Sequence, residues 1–263
     1  MHEELLAPLR SAPERAGVFL DFDGTLSQIA LIPSAARPID GAREVLSRLA
    51  DRFAVVAIVS GRAAGDLLDW LGPGVEIWGV HGAETVADGR VVLSARAEPY
   101  RDKMRLVFED AQRRVEELGI EGVLAEDKTT MVNLHYRAAD DLERARELVD
   151  GIAADLAQQH GLRTAAGRLT VELRPPEDFS KEQVVLARAR EAELEAVLFA
   201  GDDTVDIPAF EALDLLASDG VATVRVAVSS LEAPTELIER ADIVVGGPEG
   251  TVEFLESLAS EPE

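Results

Sequence analysis

Val18-Phe19-Leu20-Asp21-Phe22-Asp23-Gly24-Thr25-Leu26 is an apolar, β-favouring run that stops abruptly in two carboxylates two residues apart, followed by a glycine and a hydroxyl. While the chain is extended, residues i and i+2 point to the same side, so Asp21 and Asp23 are expected to converge. Like charges that close raise each other's pKa unless a cation lies between them. A hard divalent ion with oxygen ligands, Mg2+ by preference, resolves the conflict. Gly24 permits a sharp turn, and Thr25 offers a hydroxyl and an N–H to an anion. An aspartate near its ordinary pKa is ionised at neutral pH and can attack phosphorus once a cation screens the phosphate. Asp23 is then placed to protonate the leaving oxygen and afterwards to activate water. The competing reading is a strand-end turn capped by carboxylates, and Asp-x-Asp alone leaves both open.

Outward from this stretch the chain alternates strand and helix. Strands are expected at 16–21, 53–59 and 75–80, with helices at 40–51, capped by Asp40, and 63–71, stopped by Gly72-Pro73. Segments 85–87 and 90–93 flank Asp88-Gly89, a strong hairpin signal. The middle of the chain breaks the rhythm: a charged helix over 99–118, strands near 122–126 and 131–137, a helix over 140–159, and strands near 162–165 and 169–173. After Pro175-Pro176 the alternation resumes, with helices at 181–192, 207–213, 234–240 and 248–258 and strands at 196–200, 223–228 and 242–245. The pattern predicts an α/β fold, a doubly wound parallel sheet discontinuous in sequence (1–96 and 176–263), with a smaller α/β domain inserted at 97–175.

The totals narrow the function classes. A net charge of −24 over 263 residues repels nucleic acid and anionic membrane surfaces, so any phosphate site must be a local exception. The absence of cysteine excludes disulfides, thiol nucleophiles and thiolate metal sites, and suits a cytoplasmic protein. The first ten residues form a short charged segment without an apolar signal core, and no run approaches transmembrane length. A soluble chain follows as the expectation, with a monomer as the default. Of the 26 basic residues only Lys103, Lys128 and Lys181 are lysines, so each marks a place where a compact, rotatable ammonium is wanted, or simple drift.

Ligands of such sheets sit beyond the carboxyl ends of the strands, and three further stretches fall there. Ser60-Gly61-Arg62 ends the second strand. The Ser60 hydroxyl, with the N–H groups of Gly61 and its neighbours entering a helix, makes an anion site, or Ser60 is merely that helix's N-cap. Lys181 opens its helix, where a cation opposes the macrodipole. It is a candidate to neutralise charge shared by Asp21 and a phosphoryl group, an exposed lysine beside Glu182 being the alternative. In Gly201-Asp202-Asp203-Thr204-Val205-Asp206, Asp202 is the candidate third metal-site group beside the Asp21 side chain and the Asp23 carbonyl. Asp203 and Asp206 are candidates to hold metal-bound waters or orient Lys181.

The inserted block has its own pattern. Val132, Leu134 and Tyr136 alternate with Asn133, His135 and Arg137, and Leu169, Val171 and Leu173 with Thr170, Glu172 and Arg174, giving each strand one apolar and one polar face. Glu126 and Lys128 share a side. Charged groups at fixed spacing suit a hydroxyl-rich ligand, while a solvated sheet face with cross-strand ion pairs is equally compatible.

In this order and at strand ends, the Asp21-to-Thr25 stretch, Ser60, Lys181 and the Asp202 cluster resemble the four motifs of the haloacid dehalogenase superfamily of aspartyl phosphatases. A block inserted after the second motif resembles the larger α/β caps of some members. The resemblance implies Asp21 as nucleophile, Asp23 as acid and base, Ser60 and Lys181 as phosphate contacts, and Asp202 and Asp206 as metal-site carboxylates. Glu126-Asp127-Lys128, His135-Tyr136-Arg137, Val171-Glu172-Leu173-Arg174-Pro175 and the loop Trp78-Gly79-Val80-His81-Gly82-Ala83-Glu84 are similar to the trehalose-6-phosphate phosphatases. That narrower resemblance implies Mg2+-dependent hydrolysis of trehalose 6-phosphate through a phospho-Asp21 intermediate, with Glu126, Lys128 and Glu172 holding the disaccharide. His81 is expected to order its loop, a contact with the sugar being the alternative, and Arg137 and Arg174 to serve as ion-pair partners. Two departures, Glu182 where glycine is usual and Ile207 where an acid is common, bear on the substrate more than on the nucleophile. The length leaves no room for the synthase domain of some relatives, so a stand-alone phosphatase is expected. The rival readings are a phosphatase of another sugar phosphate and a non-catalytic sugar-phosphate-binding regulator.

Overall fold

Three apolar runs, 16–20, 55–59 and 196–201, are buried at every position, as strands must be when helices cover both faces of a sheet. The computed structural model of the protein describes residues 3–30, 32, 35–94, 97–176 and 179–260. The first third of the chain forms α1 (Glu3–Ser11), β1 (Ala16–Leu20), α2 (Ala42–Ala50), β2 (Val55–Val59), α3 (Ala64–Leu71), β3 (Glu76–Gly79), β4 (Glu84–Ala87) and β5 (Arg90–Leu93). The middle forms α4 (Arg101–Leu118), β6 (Leu124–Asp127), β7 (Val132–His135), α5 (Leu142–His160), β8 (Arg163–Gly167) and β9 (Thr170–Arg174). The last third forms α6 (Lys181–Glu191), β10 (Ala196–Gly201), α7 (Ile207–Ser218), β11 (Ala222–Ser229), α8 (Thr235–Arg240), β12 (Ile243–Gly246) and α9 (Gly247–Ala259). Among these residues no helix is long and apolar enough to cross a membrane.

The chain divides into two compact units, Met1–Val92 with Phe179–Glu263, and Leu93–Asp178. These divisions fall a few residues outside the expected limits of 97 and 175, and the expected junction at residue 96 lies outside the described residues. In the larger unit an eight-stranded sheet runs β12-β11-β10-β1-β2-β3-β4-β5. All pairings from β12 to β3 are parallel, and β4 turns antiparallel onto β3. The β4–β5 turn is Asp88-Gly89, both residues at positive φ (51° and 70°), the backbone that a two-residue hairpin requires. Successive β1 side chains serve opposite faces. Val18 and Leu20 pack with Leu9 of α1, Leu46 and Leu49 of α2, Leu67 of α3 and Leu255 of α9. Phe19 packs with Val185 of α6, Phe210 of α7 and Leu237 of α8. The chain leaves β1 towards β2 on one side and reaches β10 on the other, so the carboxyl end of β1 is a topological switch point, where such sheets bind ligands.

Local chemistry shifts two expected helix starts. Gly41, in the left-handed region at φ 83°, takes the position before α2, and Asp40 makes no cap bond there. α3 begins at Ala64, and its N-terminus is capped from another strand: the Ala64 N–H donates to Glu84 Oε2 at 2.8 Å.

The smaller unit is an antiparallel sheet, β6-β7-β9-β8, covered on one face by α4 and α5. Val107 and Ala111 of α4, and Val149 and Leu156 of α5, bury Val132, Leu134, Val171 and Leu173. Asp141 caps α5 by accepting from the Arg144 N–H at 3.0 Å. Both helices stop at a glycine in the left-handed region, Gly119 and Gly161.

The larger unit's second core rests on an edge-to-face pair, Phe199 of β10 against Phe210 of α7, with ring centroids 6.2 Å apart at 84°. Phe210→Ala empties a fully buried position and is expected to lower stability by about 3–5 kcal/mol. Equilibrium urea unfolding measures this, and a loss below about 1 kcal/mol would show that the core closes over the gap.

Candidate active site

The carboxyl ends of β10, β1 and β2 lie side by side, and the polar residues that follow them are buried. The Asp21 N–H donates to the Ala200 carbonyl at 2.9 Å, carrying the β1–β10 pairing one residue past the strand. The chain then folds into a tight turn in which Leu26 and Ser27 both donate to the Phe22 carbonyl (2.8 and 3.0 Å). Gly24 sits in this turn at φ 75°, and a Cβ there would lie 1.9 Å from Asp202 Oδ2. Only glycine lets the β1 turn approach the Asp202 carboxylate this closely.

Lys181 is the hub of the site. Its side chain is almost wholly buried, and Nζ lies 2.6 Å from Asp21 Oδ1 and 2.6 Å from Asp206 Oδ1. The other Asp206 oxygen accepts the backbone N–H groups of Asp202 and Asp203 at 3.0 and 3.1 Å. Asp206 thus has both oxygens engaged and acts as a strut between Lys181 and the loop after β10. Ser180 caps α6 by accepting from the Gln183 N–H, fixing the helix start from which Lys181 projects.

Asp21, Asp202 and Asp206 are all buried, each with a carboxylate oxygen within 4.8 Å of the others. Burial, reinforced by Asp206 and Asp23 and opposed by Lys181, pushes Asp21 up to about 7. Burial and the neighbouring Asp21 and Asp206 push Asp202 up to about 9. One ammonium does not balance the cluster. The donors are all oxygen, the excess charge is negative, and the Thr25 hydroxyl nearby in sequence is buried without a hydrogen-bond partner. This set fits a hard divalent cation, with Asp21 and Asp202 the carboxylates whose oxygens Asp206's bonds do not occupy.

Several expected residues take other positions. The Asp21 and Asp23 carboxylates do not point to one spot: the chain leaves the strand at Leu20, and the Asp23 carboxylate turns to Arg62, which binds both its oxygens at 2.6 and 2.7 Å. The Thr25 N–H is used inside the turn, on the Phe22 carbonyl, so only its hydroxyl faces a possible ligand role. Ser60 stands ahead of α3 rather than at its cap, its hydroxyl accepting the Arg62 N–H at 3.2 Å. A Cβ on Gly61 would meet the His81 ring at 3.0 Å, and the His81 N–H donates to the Ser60 carbonyl, so His81 packs down the loop that carries both. Asp203 caps the turn 204–206, its Oδ1 accepting the Thr204 N–H at 2.6 Å. Arg62 and Glu84 are the participants that sequence reasoning gave no role. Their signal was slight: an arginine directly after Ser60-Gly61, and an acid ending an otherwise apolar loop.

In the smaller unit the sheet register sets Glu126 opposite Asn133 and Asn133 opposite Glu172, forming one polar row. Glu126 bonds His135 Nε2 at 2.8 Å and Lys128 Nζ at 3.3 Å. Burial works against ionisation of Glu126, but the His135 hydrogen bond and the Lys128 charge hold it below its ordinary value. Arg174 grips Glu172 through Nε at 2.7 Å, and Arg137 donates to the Arg168 carbonyl at 3.1 Å.

Comparison with known proteins places this geometry. A haloacid dehalogenase-like hydrolase from Bacteroides thetaiotaomicron shares the fold, with TM-score 0.61 over 92% of this chain and 99% of that one at 16% identity. The trehalose-6-phosphate phosphatase C-terminal domain of Candida albicans superposes with TM-score 0.76 over 98% and 96% of the two chains, at 23% identity. The class is thus that of the haloacid dehalogenase-like fold. The trehalose-phosphatase family model matches residues 19–239, and the chain belongs to that family. The trehalose-phosphate phosphatase of Mycobacterium avium is 39% identical over 214 residues, covering 77% of this chain and 52% of that protein. The chain spans about half the length of the mycobacterial relatives it matches.

The electrostatics of the cluster give a pH signature. Asp21 and Asp202 hold their protons in the folded state above the ordinary value of 3.8, so without divalent cations stability falls as pH rises from that value through about 7 and 9. Asp202→Asn removes the proton uptake that folding requires at this carboxyl. In EDTA at pH 8 it is expected to raise the melting temperature by roughly 2–4 °C, equivalent to about 1 kcal/mol. Scanning calorimetry reads this directly, and a lower melting temperature would mean that the cluster is already neutralised.

Proposed function

We propose that the protein hydrolyses trehalose 6-phosphate to trehalose and phosphate through a phospho-Asp21 intermediate. The observation that carries the reading is the buried Lys181 ammonium held 2.6 Å from Asp21, which fixes a carboxylate oxygen at the head of the sheet with a cation beside it. Asp21 attacks phosphorus: its bond to phosphorus forms, the bond to the sugar oxygen breaks, and Asp23 supplies the proton that the leaving oxygen takes up. Water then attacks the acyl phosphate, Asp23 accepts its proton, and phosphate leaves with Asp21 restored. Lys181 and the Ser60 hydroxyl, with Thr25 and the Gly61 N–H, stabilise the charge on the transferred phosphoryl oxygens. Asp206 and the capped loop of Asp203 keep Lys181 and Asp202 in place. Asp21, Asp202 and the Asp23 carbonyl would hold Mg2+, which when bound would supply positive charge to offset the repulsion between phosphate and carboxylate.

The inserted unit supplies the choice of sugar. Glu126, Lys128 and Glu172 present two carboxylates and an ammonium, each already aligned by a neighbour: His135 for Glu126, Glu126 for Lys128 and Arg174 for Glu172. Such charge-assisted donors and acceptors suit the many hydroxyls of a disaccharide. The relatives named as trehalose-phosphate phosphatases support this substrate over other sugar phosphates.

The test is phosphate release from trehalose 6-phosphate, glucose 6-phosphate and sucrose 6-phosphate, with Mg2+ and with EDTA. A preference of at least about 100-fold in kcat/KM for the first, abolished by EDTA, is expected, since one missing polar contact in a fitted site costs that much or more. Comparable rates on all three would remove the sugar assignment, and no release from any would remove the catalytic one. Within the same assay Glu172→Gln is expected to raise KM for trehalose 6-phosphate about 10-fold while changing kcat less, the pattern of a ground-state contact. An equal fall in kcat would contradict a binding role.

A further inference from the structure

The Asp23 carboxylate is the more exposed member of its ion pair, its side chain at 37% against 9% for Arg62. Arg62 is also the better anchored. Its guanidinium carbon lies 4.9 Å from the Trp70 ring centroid and 5.7 Å from that of Phe22, and these two rings stack on each other at 5.4 Å. Arg37 lies against Trp70 as well, at 5.0 Å. Each cation on an aromatic face gains about 0.5–2 kcal/mol, the more so when desolvated. The planar fork is therefore held flat by α3 and by the first residue of the β1 turn.

We infer that Arg62 is a positioning residue for Asp23: a fork clamped on Trp70 and Phe22 that fixes where the acid and base carboxyl stands and the plane in which it meets a leaving oxygen. In the arrangement observed, both Asp23 oxygens accept from Arg62, through Nη2 at 2.6 Å and Nε at 2.7 Å, which sets the plane of the carboxyl and leaves each oxygen a second lone pair for a proton. Two bonds to one planar fork limit the carboxyl to a short arc. A lysine cannot do this, because a point donor holds one oxygen without setting the plane of the carboxyl. The turn adds to the constraint: Gly24 and Ser27 are joined by a 2.8 Å N–H to carbonyl bond directly after Asp23, so the backbone carrying it is fixed.

The inference rests on the phosphatase reading, and the two part company in the leaving group. A sugar alkoxide needs the proton that Asp23 supplies, whereas p-nitrophenolate leaves without one. A positioning defect at Arg62 therefore slows phosphoryl transfer from the sugar phosphate and largely spares transfer from the aryl phosphate. A lost phosphate contact or a loosened fold slows both alike.

The experiment is single-turnover phosphoryl transfer from trehalose 6-phosphate and from p-nitrophenyl phosphate, for wild type, Arg62→Met and Arg62→Lys, with melting temperatures measured alongside. In Arg62→Met the ratio of the sugar rate to the aryl rate is expected to fall about 10–100-fold, part of the 10²–10⁴ that a positioned acid contributes. Arg62→Lys is expected to recover only a minor share of that ratio. Trp70→Leu, which removes the plate behind the fork and leaves Asp23 untouched, is expected to lower the ratio in the same direction by a smaller factor. A ratio within twofold of wild type in Arg62→Met overturns the inference, whether its absolute rates fall or not. Full recovery of the ratio by Arg62→Lys overturns the requirement for a fork. If wild type itself turns over neither compound, the phosphatase reading fails instead.

Discussion

One buried ammonium facing two carboxylates governs this molecule. Lys181 is inserted between Asp21 and Asp206 at 2.6 Å from each, and burial beside those two carboxylates pushes Asp202 up to about 9. Burying an ion costs several kcal/mol unless partners compensate for its hydration. The fold therefore brings several strand ends together around this one cation. β1 supplies Asp21, β10 supplies Asp202 through the loop that Asp206 ties down, and the start of α6 supplies the lysine. The parallel sheet makes this possible, because its central strands run the same way and release their following loops at one edge.

Glycines set the tolerances around the cluster. Gly24 lets the β1 turn close on the Asp202 carboxylate, where any side chain would collide with it. Gly201 has the same relation to Asp206, since a Cβ there would lie 2.3 Å from the carboxylate carbon. Both are consequences of packing charged groups into a space sized for one lysine and three carboxylates. The larger unit carries the buried lysine and carboxylate cluster, while the smaller unit carries a polar row aligned across three strands by its register. That separation allows a common reaction centre to be combined with a variable choice of substrate.

Much of this is legible in the sequence, for identifiable reasons. Apolar strands buried on both faces read as unbroken hydrophobic runs, and the Asp88-Gly89 hairpin follows from backbone geometry alone. Lys181 stands out because it opposes the dipole of its own helix, and it is buried between carboxylates. What sequence does not show is long-range pairing. Arg62 and Asp23 are 39 positions apart, and nothing local says that they meet. Glu84 capping α3 from across 20 residues is of the same kind. Asp203 was read with its acidic neighbours, yet it serves a one-turn cap, because clustered carboxylates after a strand can meet backbone N–H groups as readily as metal ions. The convergence of Asp21 and Asp23 fails for a local reason, the end of extended backbone at Leu20.

The nucleophile is the centre of the account, and chemical trapping tests it most directly. Acid-quenched enzyme that has been turning over trehalose 6-phosphate with Mg2+ would be reduced with borohydride, which converts an aspartyl phosphate to homoserine, and then mapped by peptide mass spectrometry. The account predicts homoserine at Asp21, absent in Asp21→Asn and absent without substrate. Homoserine at another aspartate, or none from wild-type enzyme that releases phosphate, would contradict it.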